Sequence, residues 1–217
     1  MAKVLEDAQK LYNEGKWQEA VTLLNESLES LPGLAETEDV AEALRLKGWC
    51  FYYIGIKGPE EEKMEVLRLS RNMFDVALRK SSDAKKIISI FNGLSLPLWI
   101  LGEREKAWEV SDQAVKEFPD EPSIWNTRSI LCRWAKNFEQ AVNICEKVYI
   151  TALARRDYRT AGHGKQNRAD ALRELGRVEE AKINYAAAIG LYKDFEKESG
   201  QSAAPHIEGA TKKLNSN

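Results

Sequence analysis

Apolar and small residues recur along this chain at intervals of three and four positions, the period of an α-helix with one buried face. Residues 15–32, GKWQEAVTLLNESLESLP, show the basic unit. Gly15 ends one apolar segment, a polar corner follows, Ala20 begins the next apolar face, and Pro32 closes it. The pattern predicts two antiparallel helices that are joined by a short turn.

Variants of this unit recur at residues 101–119, 136–148 and 175–189. The alanines that open the second helix of each unit are Ala20, Ala107, Ala141 and Ala181. A glycine stands five residues before three of these alanines, and Lys136 stands at that position in the remaining unit. Because small side chains let two helices approach closely, the repeated positions predict tightly packed helix pairs.

A further unit, between the first and third, departs from the pattern. Ser70 replaces the alanine and lies ten residues farther from its glycine, Gly55, than in the other units. The additional stretch contains Gly58 and Pro59 followed by three glutamates. Proline at the first helical position and acids in the first turn begin a helix. We therefore expect a second helix that is lengthened toward its N-terminus.

Together these units resemble the tetratricopeptide repeat (TPR), a helix–turn–helix unit of about 34 residues. The resemblance implies an all-α fold, a right-handed helical solenoid of about five helix pairs with a C-terminal capping helix. We expect residues 1–217 to form a single TPR-like domain. The expected helix pairs span about 2–31, 37–80, 84–118, 122–157 and 160–197, with a terminal helix at about 205–214.

Composition and charge narrow the functional classes. A net charge of −2 argues against binding to nucleic acid or to an anionic membrane surface. The N-terminus is charged and unlike a secretory leader, and no run reaches the roughly 20 apolar residues of a membrane helix. Asn92 and Pro97 interrupt the longest apolar run, at 87–101, so a buried helix is expected there. We expect a cytoplasmic protein without a nucleic-acid or membrane partner.

No sequence motif indicates catalysis. Cys50, Cys132 and Cys145 form no C-x-x-C pair, and we expect reduced thiols packed in the core. His163 and His206 lie 43 residues apart, and we expect His163 to be a solvated or groove residue. Phosphate-binding loops, nucleophile elbows and zinc-protease motifs are lacking. The expectation is a non-enzymatic protein with no catalytic residue, no metal site and no cofactor.

The resemblance implies that the first helix of each pair lines a concave groove. Side chains off the packing face of these helices would then point into the groove. In the middle three units these positions are rich in aromatic, Asn and Arg residues, types enriched at binding hot spots. In the fifth unit they are His163, Gln166, Asp170 and Arg173. The candidate peptide-binding residues are Trp49, Tyr52, Tyr53, Asn92, Trp99, Asn126, Arg133 and Trp134.

The expected function is binding of a peptide segment or partner protein of unknown identity. Helix phase alone leaves open whether the candidate aromatic rings face the groove or belong to the core between repeats. Two other functions also stay open: a self-associating scaffold, which implies a homo-oligomer, and a sensor of a small peptide or ligand. The carboxylate clamp of one TPR subclass is disfavoured, because Asn126 is one residue out of phase with it.

Overall fold

The computed structural model describes residues 1–29 and 38–216, and the expected helix-closing Pro32 lies outside these ranges. The described residues form eleven α-helices and no strand, which confirms the all-α fold. The helices are α1 (Ala2–Asn13), α2 (Trp17–Glu29), α3 (Glu38–Lys57), α4 (Glu60–Lys80), α5 (Ala84–Ile100), α6 (Arg104–Glu117), α7 (Pro122–Trp134), α8 (Phe138–Ala154), α9 (Tyr158–Glu174), α10 (Val178–Ser199) and α11 (Ala204–Leu214). None of these helices is long and apolar enough to cross a membrane.

One left-handed residue makes the turn in four of the helix pairs. Gly15, Gly102 and Gly176 have φ angles of 77°, 85° and 75°, and Lys136 has a φ angle of 62° at the corresponding turn. After Lys136, the Asn137 N–H donates to the Cys132 carbonyl at 2.8 Å, as the residue after each glycine does in its own turn. The turn therefore keeps its geometry although Lys136 replaces the glycine.

The second helix pair, α3 and α4, contains the unit in which Gly55 and Ser70 are farther apart than in the other repeats. Helix α4 begins at Glu60, directly after Pro59, with three glutamates in its first turn. This confirms the lengthened second helix. Ser70 is fully buried, and its hydroxyl donates to the Gly48 carbonyl of α3 at 2.8 Å. A serine fits the alanine position because it is small and its hydroxyl finds a partner.

The chain divides into two compact units, residues 1–114 (unit 1) and 115–217 (unit 2). The single-domain expectation stays a prediction. In unit 1, Phe74 is the centre of a buried cluster that includes Leu44, Ile90, Leu94 and Leu98. In unit 2, the largest fully buried side chains are Tyr185, Tyr192, Ile124, Leu131, Leu172 and Val148.

The small residues of the repeats are buried as expected. The alanines that open the second helices are at most 1% exposed: Ala20, Ala107, Ala141 and Ala181. Cys50, Cys132 and Cys145 are also buried, in agreement with core packing of the thiols. Burial raises the pKa of Cys50 and of Cys145 to about 12. Neutral thiols of this kind are poor nucleophiles and poor metal ligands.

Candidate functional site

A hydrogen-bonded network joins first helices α3 and α5 in unit 1. The Arg45 guanidinium and the Trp49 indole each donate to Ser89 Oγ at 3.0 Å. Arg45 also donates to both carboxylate oxygens of Glu42, each at 2.7 Å. These contacts hold a charged group and an aromatic ring, both half-buried, in fixed positions. We call Glu42, Arg45, Trp49 and Ser89 the unit 1 network.

An open pocket of about 570 Å³ lies beside this network, against α1. It is lined by Leu5, Glu6, Gln9, Lys10, Asn13, Glu14 and Glu42. Three of these side chains are carboxylates and one is an ammonium group, so the pocket favours basic and hydrogen-bonding ligands. Glu42 belongs to both the pocket and the network, which makes the two features one continuous face.

The three aromatic candidates of α3 extend from the core to this face. The Trp49 ring meets the Phe74 ring edge-on at 5.4 Å and stacks near Tyr53 at 6.1 Å. Tyr53 in turn stacks on Trp17 at 5.3 Å. Tyr52 is only 8% exposed, and burial raises its pKa. The Tyr52 ring therefore belongs to the core, whereas the Trp49 and Tyr53 rings are half-buried and reach the surface.

Asn92 and Trp99 are half-buried residues of α5 in the same unit. Asn92 lies one helical turn after Ser89 and therefore shares its face of α5. The Trp99 ring meets Trp108 edge-on at 5.9 Å, and the Arg104 guanidinium lies 5.4 Å from the Trp99 ring centre. Trp99 also packs against the core cluster of Phe74. Asn92 therefore extends the face of the unit 1 network, whereas Trp99 is held between aromatic and cationic neighbours.

Unit 2 brings two other candidates together on α7 and α9. The Asn126 side-chain carbonyl accepts from the Asn167 amide at 2.9 Å. Seven residues later on α7, Arg133 donates to the Asp170 carboxylate at 2.7 Å. Seven residues are about two helical turns, so both contacts lie on one face of α7. The remaining candidate, Trp134, is half-buried at the end of the same helix.

Asp170 is the centre of a charged pocket of about 440 Å³ in unit 2. Its side chain is 8% exposed and accepts from the Tyr185 hydroxyl at 2.6 Å, as well as from Arg133. The Lys213 ammonium donates to its two oxygens at 2.7 and 2.8 Å. Arg173 and Glu174 also line the pocket. The sequence indicated Asp170 and Arg173, but Tyr185 and Lys213 carry no motif that would have marked them.

His163, expected from the sequence to be a solvated or groove residue, is half-buried against α10 and α11. Its ring lies 4.9 Å from the His206 ring and 5.7 Å from the Tyr192 ring, with His206 stacked on Tyr192 at 5.2 Å. Burial, with smaller contributions from His206 and Arg159, lowers the pKa of His163 to about 3. Helix α11 thus brings together two histidines that are 43 residues apart in the sequence. Among the described residues, no group of three or more His, Cys, Asp or Glu side chains is placed to hold a metal ion.

Paired helices, left-handed turn residues and buried alanines at a fixed position define the class: an all-α helical-repeat protein with the TPR fold. No family model matches the sequence, and no curated protein matches it. TTC0263, a thermophilic TPR protein in Thermus thermophilus, matches with a TM-score of 0.60 at 15% identity, over 98% of this chain and 98% of its own. YrrB, a TPR protein with an unusual peptide-binding site, matches with a TM-score of 0.48 at 16% identity, over 88% of this chain and 86% of its own.

Proposed function

We propose that this protein is a non-enzymatic interaction module that binds a peptide segment of a partner protein on its first-helix faces. The observation that carries the proposal is the unit 1 network, in which Arg45 and Trp49 are fixed by a shared bond to Ser89. Side chains that are already ordered lose little conformational entropy on binding. Trp, Tyr and Arg are also the residues that contribute most to binding at protein interfaces.

The chemistry of this face favours a particular kind of peptide. The pocket beside α1 offers the Glu6 carboxylate to a basic side chain or to backbone N–H groups, while Glu42 is already paired with Arg45 and Glu14 with Lys16. The half-buried rings of Trp49 and Tyr53 offer flat apolar surface next to it. A peptide with a basic residue next to an aliphatic or proline residue would satisfy both parts of the face.

The test is selection of peptides from a random display library against the full chain, followed by fluorescence anisotropy with the selected peptides. Arg45→Ala removes the contacts of Arg45 with Glu42 and Ser89 and leaves the Trp49 bond to Ser89. We expect it to weaken binding about tenfold, as truncation of an interface Arg does. Arg68→Ala is the matched control, because Arg68 is an exposed arginine of α4. We expect Arg68→Ala to bind like the wild type.

Circular dichroism and the urea midpoint establish that both variants fold. Selected peptides that bind the folded Arg45→Ala variant as tightly as the wild type would place binding outside the unit 1 network and contradict the proposal. Trp49→Ala is less suitable for this test, because its ring also contacts Phe74 and its loss disturbs the core. A mass that rises with protein concentration, without any selected peptide, would favour the self-associating scaffold.

A further inference from the structure

The C-terminal helix α11 packs on unit 2 with a single fully buried residue. Of its described residues, Ala210 is buried, whereas Ile207 is half-buried against a cluster that includes Ala188 and Tyr192. A helix of 11 residues is marginally stable on its own in water. Helix α11 is therefore an element that opens at a lower free energy than the helices it covers.

Its C-terminal end is held by polar side chains of α9. The Lys213 ammonium lies on the Asp170 carboxylate, while Arg173 donates to the Lys213 carbonyl at 3.2 Å and to Ser216 Oγ at 2.7 Å. Asp170 and Arg173 are two of the side chains that the sequence places on the ligand-facing side of a first helix. Helix α11 thus covers two polar side chains that the sequence marks as ligand candidates.

The contact between Lys213 and Asp170 is also exchangeable. The Lys213 side chain is 40% exposed, so its ammonium reaches the carboxylate from solvent. Asp170 keeps the hydrogen bonds from Arg133 and Tyr185 when Lys213 leaves. Because the carboxylate is not left without partners, another cation can replace Lys213 at little cost.

We infer that α11 is an intramolecular pseudo-ligand, and that the partner of unit 2 is a helical segment that displaces it and places a basic side chain on Asp170. This inference rests on the proposed function and adds the chemistry of one partner and its regulation. The pattern of the partner follows from the anchors of α11: Ile207, Ala210 and Lys213 are an apolar, a small and a basic residue at three-residue spacing. Residues at this spacing share one face of a helix.

The test uses the full chain with α11 detached by Ala210→Glu. Ala210 is completely buried, so a carboxylate at this position forces α11 away from its site. The probe is a fluorescein-labelled peptide of residues 203–216, AAPHIEGATKKLNS. We expect it to bind the Ala210→Glu chain, and to bind the wild-type chain at least about tenfold more weakly because α11 competes in cis.

Two probe variants test the role of the basic side chain. A peptide with Lys213→Ala is expected to bind about tenfold more weakly, since it loses a charge-assisted contact to a buried carboxylate. A peptide with Lys212→Ala is the matched control, because Lys212 is exposed. Three outcomes would overturn the inference. The two peptide variants could bind equally, the probe could bind both chains equally, or the probe could fail to bind the folded Ala210→Glu chain.

If Ala210→Glu does not fold, hydrogen exchange in full-length variants tests the contact between Lys213 and Asp170 on which the inference depends. Lys213→Ala is expected to speed exchange of the α11 amides about tenfold, and Lys212→Ala to leave it unchanged. Equal exchange in the two variants would overturn the inference. These outcomes overturn this inference alone and leave the proposed function standing, because binding of the library-selected peptides is tested at the unit 1 network and does not depend on Asp170.

Discussion

The ring of Phe74 on α4 fills the space beside Gly48 of α3 that a side chain would need. An ideal β-carbon on Gly48 would lie 2.8 Å from Cε1 of Phe74, closer than real β-carbons approach other atoms. Gly93 of α5 meets the same ring, and Phe74 itself is fully buried. Two glycines of first helices and one phenylalanine of a second helix therefore set the distance between these helices.

Gly48→Ala should destabilise the protein by about 1–3 kcal/mol, because the added methyl group overpacks the site around Phe74. The matched control is Gly190→Ala in α10, where no atom lies within 4 Å of the added carbon. That change should stabilise the protein by up to about 1 kcal/mol, since alanine is the better helix former. Urea denaturation measures both effects. A Gly48→Ala variant as stable as Gly190→Ala would show that the Phe74 ring moves aside without cost.

Lys136→Gly should raise the free energy of unfolding by about 0.5–1 kcal/mol. Lys136 has a φ angle of 62°, a left-handed conformation that strains a residue with a β-carbon and suits glycine. The opposite change, Gly102→Ala, tests the same cause. Gly102 has a φ angle of 85°, and no atom lies within 4 Å of an added β-carbon. We expect Gly102→Ala to lower the free energy of unfolding by about 1 kcal/mol, and this effect would come from the backbone alone. A destabilised Lys136→Gly variant would mean that the lysine side chain contributes more than the backbone strain costs.

The repeat positions could be predicted from the sequence because they depend on local size and backbone geometry. The buried alanines of the second helices follow from close helix packing, and the turns follow from their glycines. The two departures from the pattern also have local causes. Ser70 is small enough for the alanine site, and Lys136 adopts the left-handed conformation of the glycine it replaces.

The candidate site could be predicted only in part. Helix phase places Trp49 toward the first-helix face, but the ring is large enough to bond Ser89 and to contact Phe74 at once. The helical phase of such a residue therefore does not show whether its side chain faces the groove or packs in the core. The bond between Lys213 and Asp170 spans 43 residues and depends on how α11 packs on unit 2. No local sequence pattern specifies that packing.

Two substitutions of Trp49 separate its packing from its hydrogen bond. Trp49→Phe loses the bond to Ser89 and keeps most of the ring contact, so we expect a loss of about 1 kcal/mol in the free energy of unfolding. Trp49→Ala also removes the contact with Phe74, and we expect a loss of about 3 kcal/mol, the lower end for truncation of an aromatic residue. Urea denaturation distinguishes them. Similar losses for the two variants would show that the ring contributes little to the core.

The histidine cluster under α11 makes unit 2 sensitive to acid. His163 of α9 faces His206 of α11 and Tyr192 of α10, and Arg159 adds a positive charge on its own helix. Burial, with smaller contributions from His206 and Arg159, lowers the pKa of His163 to about 3 from an ordinary value of 6.5. The unfolded chain therefore binds a proton at this residue more readily than the folded chain does. The neutral ring contributes full stability above pH 6.5, and this contribution is lost as the pH falls from 6.5 toward 3.

Wild-type protein should therefore lose about 2 kcal/mol of unfolding free energy through His163 between pH 8 and pH 5. His163→Gln removes this titration, so the difference between the two pH profiles reports His163 together with its interaction with His206. Most carboxylates stay ionised above pH 5, which keeps their contribution small in this range. Urea denaturation at intervals of half a pH unit gives the profiles. A wild-type curve that converges on the His163→Gln curve toward pH 5 is the expected result, because the advantage of the buried neutral ring disappears. Parallel curves would show that His163 accepts a proton in the folded protein as readily as in the unfolded chain.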